Sequence, residues 1–226
     1  MSFDSNLVQD LAIWALPVLF ALTGHALVTA QLAYRLGDRS AAAAGKLSWN
    51  PLRYVDLVGT VLAPAIMIAV GGFVFGWPKI LPVDTRAFAN PRRALAQIAA
   101  AGLAANIAMA LAWGVLLKVA LGHEAEEGTW LAVRYMAIAG VRINLAFLVF
   151  SCLPIPGMPG GRILSLMLPA RWAQRFDELE RHQLLIVVAL LALMASGVLN
   201  AVLIWPLMLA EAGVFIVLGI NPNLLL

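Results

Sequence analysis

Charge is what this sequence has least of. Only 12% of its 226 residues are Asp, Glu, Lys or Arg, against roughly 25% in a typical soluble domain. Hydrophobic residues make up 62%, and the mean hydropathy is +0.90. A soluble protein of this length has no core able to hide so much apolar surface, whereas a bilayer takes it. Cysteine is nearly absent: Cys152 stands alone, which excludes an internal disulfide and a zinc cage built of thiolates. In its apolar run it reads as a plain buried thiol. No run of five basic residues exists. The excess of 15 Lys and Arg over 12 Asp and Glu therefore reads as juxtamembrane charge, not as a nucleic-acid surface. The first thirty residues carry Asp4 and Asp10, lack a basic start and lack a small-residue cleavage site. They do not fit a cleavable signal, so the first helix is expected in the mature protein.

What is present is a series of apolar segments: about 7–34, 55–76, 94–121, 130–153, 184–205 and 207–220. Each of the first five is long enough for roughly 30 Å of hydrocarbon at 1.5 Å per residue. The sixth is short and holds Glu211 and Gly213, and whether it spans is left open. The expected fold is an all-α polytopic membrane protein, a single membrane domain over 1–226 with five to six transmembrane helices. Prolines break the chain at 76–93, and Lys46–Trp49 and Lys79–Val83 are candidate short membrane-associated β segments. Residues 170–182 have helical charge spacing, with Arg175 and Asp177–Arg181 in reach of i,i+4 pairing, and predict a helix on the membrane surface. Loops 35–53 and 77–93 each carry four basic residues although one segment separates them, so counting along the sequence does not fix an orientation.

The landmarks between these segments fall in a specific order. His25-Ala26-Leu27-Val28-Thr29 lies within the first segment, followed by Gly37-Asp38, Gly45 to Leu52 with Asn50-Pro51, and Asp56 to Thr60. Phe75-Gly76-Trp77-Pro78-Lys79, Asn90-Pro91-Arg92-Arg93, Ala101 to Asn106 and Leu153 to Arg162 complete the series. This series resembles the site-2 proteases, membrane zinc metalloproteases, in their compact form without a PDZ domain. The family pattern at these places is HExxH, GD, GR-x-T-x-NPL, D-x-x-GT, FGWAKPVPV, NPRR, AGP-x-x-N and LPIPPLDGGR, and the likeness covers about residues 15 to 200.

The resemblance implies zinc-dependent cleavage of peptides within the membrane. Zinc lowers the pKa of its bound water to about 7. Two His four residues apart grip the ion from one helix face, and the adjacent Glu takes the water's proton. In the family the LDG aspartate is the third ligand. This sequence departs from that set. His25 stands at the first ligand position, but Ala26 replaces the base, Thr29 the second His and Pro159 the aspartate. No catalytic group is intact and no metal or cofactor is expected, with zinc implied only if the chain is an active, or artificially inactivated, zinc metalloprotease. His123 and His182 lack ligand spacing to His25. Asp56 and Glu211 are the acids at or near membrane depth.

Two classes of function follow. The leading expectation is a pseudoprotease that binds another integral membrane protein as an accessory subunit, assembly or regulatory factor. Asn106, Asn144 and Arg142 are the candidate partner- or substrate-binding residues. Asn106 and Asn144 equally fit hydrogen bonds between helices, and Arg142 needs a carboxylate of this chain or of another. The alternative is an active, or artificially inactivated, intramembrane zinc metalloprotease. A transporter is disfavoured because no inverted repeat is visible. The expected location is the bacterial cytoplasmic (inner) membrane.

Overall fold

The structure is a computed structural model that describes residues 7–54, 83–123 and 128–221. Helix α1 spans Leu7–Arg35 and is followed by the single turn α2, Ser40–Ala43. Short 3-10 turns occupy Pro51–Arg53 and Thr85–Ala87, and α3 spans Pro91–Leu121. Then come α4 at Thr129–Ser151, α5 at Pro159–Met167 and α6 at Ala170–Glu178, which runs into a 3-10 turn over Leu179–His182. Helices α7, Gln183–Ala195, and α8, Val198–Leu218, are the last two among the described residues. Ile13–Arg35 and helices α3, α4 and α8 are long and apolar enough to cross a membrane.

Both Asn-Pro landmarks are helix starts. Asn90 accepts a hydrogen bond from the Arg93 amide at 3.1 Å, and Pro91 takes the first helical position, where its missing N–H costs nothing. Asn50 and Pro51 do the same for a 3-10 turn, with the Leu52 amide at 3.1 Å. Helix α1 keeps Pro17 within it, as transmembrane helices do when neighbours re-satisfy the backbone.

Helices α1, α3 and α4 form the centre, with α1 antiparallel to α3 and α3 antiparallel to α4. Ala110, Leu117, Ala137, Val141 and Leu145 of α3 and α4 meet Val214 and Phe215 of α8 in one buried cluster. Gly140 of α4 admits the Trp113 ring of α3, where a Cβ would sit 2.2 Å from a ring atom, a use of small residues usual between helices in lipid.

At one end of the bundle Asp38, fully buried, ties two loops together. It accepts from the Ser40 amide at 2.8 Å and from the Asp84 amide at 3.2 Å. Phe88 packs there against Ala33. Helix α5 docks on this end too: Arg92 donates to the carbonyls of Ser165 and of Leu168, the latter at 2.6 Å, covering orphan carbonyls at its C-terminus.

Several expectations need correction. Lys46–Trp49 is irregular, bending chain, and no strand occurs among the described residues. Residues 55–82 and 124–127 lie outside the described residues, and with them the 55–76 segment, Asp56 and most of Lys79–Val83. The final boundary expected near Pro206 falls at Ser196-Gly197 instead. Gly197 adopts φ +76°, a left-handed conformation that ends the helical path, while Pro206 stays inside α8. Cys152 is exposed, not buried, since it caps the end of α4 where the chain turns away.

Candidate functional site

His25 lies on α1 facing α3. Its Nδ1 is 3.3 Å from the side-chain amide of Asn106, within hydrogen-bond reach. The other edge of the ring lies against Gly102. A Cβ built there would sit 2.6 Å from Cε1 and 2.9 Å from Nε2 of His25, and 2.9 Å from Cγ2 of Thr29. Only glycine leaves room for the imidazole between the two helices. The matched landmark Gly102 to Asn106 thus acts as one unit, with the glycine admitting the ring and the amide binding it one helical turn on.

The residues around His25 are turned away from a common centre. Ala26 is buried, with 2% exposure, and offers a methyl group. The Thr29 hydroxyl donates to the carbonyls of both His25 and Ala26, each at 2.9 Å, so it is spent on its own helix. Pro159 opens α5 at its first position, and α5 packs on α3, the helix of Asn106 and Gly102. The two glycines after Pro159 are required by contact: a Cβ on Gly160 would strike the carbonyl groups of Cys152 and Leu153, and one on Gly161 that of Ile155.

A catalytic zinc needs three protein ligands. No group of three His, Cys, Asp or Glu side chains is gathered to hold a metal ion among the described residues. At the family's ligand positions the donors are one imidazole, already bound to an amide, a hydroxyl bound to backbone, and a proline. That set does not fit zinc.

The three candidate binding residues separate. Asn106 is fully buried and bound to His25, while its Nδ2 has no partner among the described residues. Asn144, also buried, donates to the Gly140 carbonyl of its own helix at 2.8 Å, so it does not make the inter-helix bond expected of it. Arg142 pairs with Glu211 of α8 at 3.0 Å.

A second polar cluster sits at the end of the bundle, under α6. Arg162 donates to Glu180 at 2.6 Å, and the Ser165 hydroxyl donates to Asp177 at 2.9 Å. Burial raises the Glu180 carboxyl above its usual range, and the charge of Arg162 opposes that rise. The i,i+4 pairing expected of Arg175 and of Asp177–Arg181 is replaced: Arg175 lies over the Trp172 ring at 5.7 Å, and Asp177 takes Ser165 of α5 as its partner. Sequence spacing within one helix could not reveal partners supplied by another. Asp38 was the residue whose role went unseen, and the Gly37-Asp38 landmark was its signal.

The geometry defines a polytopic helical membrane protein whose central helix pair clasps a histidine. The chain is 28% identical over 193 residues to a Bacillus subtilis (strain 168) protein named "Putative zinc metalloprotease YwhC", covering 84% of this chain and 83% of that protein. A Mycolicibacterium smegmatis (strain ATCC 700084 / mc(2)155) protein named "Putative zinc metalloprotease Rip2" is 26% identical over 191 residues, 84% of this chain and 69% of its own length. No protein-family model and no solved structure matches. The ordered landmarks from His25 to Arg162 resemble those of the site-2 proteases, and these similar proteins are named putative zinc metalloproteases.

Proposed function

We propose that this chain is a site-2-protease-like membrane protein that does not cut peptides with zinc and instead binds another integral membrane protein. The observation that carries this reading is the state of His25, the one retained ligand position. Its imidazole is engaged by Asn106 and pressed against Gly102, and Ala26 supplies no base for a water. The framing elements persist around this altered centre: the Asn-Pro caps, the glycine that admits the ring and the glycine pair in the first turn of α5. A scaffold kept while its chemistry is lost suits an accessory subunit, an assembly or regulatory factor, or a decoy that shelters substrates from an active relative. The bacterial inner membrane is the setting this reading implies.

A second reading, an active zinc metalloprotease, is favoured by the names of the relatives. Metal analysis of the full chain, purified in mild detergent after growth with added zinc, separates the two. Only a trace of zinc is expected, together with a membrane protein retained in near-equal amount. Roughly one zinc per chain, with cleavage of a membrane substrate that a chelator abolishes, would overturn the proposal.

A further inference from the structure

Arg142 and Glu211 form an ion pair in the hydrocarbon part of the bundle. Arg142 lies roughly 12 Å along α4 from the level of Arg134 at 1.5 Å per residue. Glu211 lies a similar depth from the end of α8, where Lys118 donates to the Leu218 carbonyl at 2.6 Å. The way out to the headgroups is further than an arginine side chain extends. The pair is nonetheless on the outside of the protein, with side-chain exposures of 54% for Arg142 and 18% for Glu211.

The bond between them uses one N–H of the guanidinium and one oxygen of the carboxylate. The remaining donors of Arg142 and the second oxygen of Glu211 have no partner among the described residues. Hydrocarbon offers them none, and unpaired polar groups are costly there. Beside the pair, α4 and α8 leave an apolar groove of about 90 Å³ walled by Ala146, Val149, Leu203, Ile204 and Leu207. Ala146 is one helical turn from Arg142, and Leu207 is one turn from Glu211.

We propose that this face binds a second copy of the same chain, with Arg142 of each copy donating to Glu211 of the other. The charge balance selects that occupant. The pair is already neutral, so a foreign helix bringing one carboxylate or one cation would leave a net charge in hydrocarbon. A copy of the pair brings none. A two-fold axis along the membrane normal sets both pairs at the same depth, and such an interface is complementary to itself. Four charged groups then satisfy one another, and the apolar groove closes on its counterpart. The dimer does not depend on whether the chain cleaves.

The test is single-molecule photobleaching of the full-length, fluorescently tagged chain in lipid bilayers at high dilution. The parent is expected to bleach mostly in two steps. Arg142→Glu alone and Glu211→Arg alone place like charges across the interface, and each is expected to bleach mostly in one step. Co-expressed in two colours, the two variants present opposite charges to each other, and co-localised pairs are expected to return. A parent that bleaches in single steps at every protein-to-lipid ratio overturns the proposal, as do single variants that pair as well as the parent. Should a variant fail to insert, the parent's step count still decides.

Discussion

The imidazole of His25 occupies space that exists only because residue 102 has no side chain. A methyl group there would meet the ring at 2.6 Å and Thr29 at 2.9 Å, closer than packed atoms tolerate. Gly102→Ala is therefore expected to destabilise the protein by about 1–3 kcal/mol, the usual cost of overpacking. His25→Ala in the same chain is expected to recover much of that loss, because the methyl group then fills the vacated volume. Thermal unfolding of the parent, both single variants and the double variant in one detergent gives the coupling. Additive effects would mean that the two residues do not share this space. His25, Gly102 and Asn106 were each legible as landmarks in order along the sequence. Their contact was not, because it joins residues 81 apart in sequence, and no local pattern encodes which helices meet.

Helices and their caps follow different rules of legibility. The bounds of α1, α3 and α4 lie close to the apolar segments, since length and hydropathy decide what the bilayer accepts. The end of α7 was misplaced because proline is a weaker stop in a transmembrane helix than in water, whereas a left-handed glycine redirects the chain outright. Asp38 shows the same limit for loops: its carboxylate joins the start of α2 to residue 84, across a stretch of sequence that hides the link. Asp38→Ala removes the acceptor for two backbone amides and is expected to cost about 1–3 kcal/mol, read as a lower unfolding temperature. Asp38→Asn retains one acceptor oxygen and is expected to lose less. Equal stability of all three proteins would show that the two loops are held together by other contacts.

Across the whole molecule, the fold resolves what counting along the sequence could not. Arg35, Arg39, Lys46, Arg53, Arg86, Arg92, Arg93, Arg162, Arg171, Arg175 and Arg181 all gather at the end where α1 and α4 finish and α3 begins. Lys118 and Arg134 mark the other end. The two basic loops, one segment apart in sequence, are bound together by Asp38 on one face. An excess of basic residues faces the cytoplasm, so that end is expected to be cytoplasmic, with the end of α8 on the far side. A reporter that is active only outside the cytoplasm, fused after α8, is expected to be active, and one placed between α5 and α6 silent. The reverse pattern would invert the topology.

The exposed thiol of Cys152, at the close of α4 on the basic end, has a practical consequence. As the sole cysteine it accepts one spin label per chain without any engineered site. Its partial burial pushes the thiol up, so attachment calls for mildly alkaline buffer. Two copies paired through Arg142 and Glu211 would then carry two labels related by symmetry. Pulsed dipolar spectroscopy on the unmodified sequence would return a single distance between them, a ruler already written into the chain.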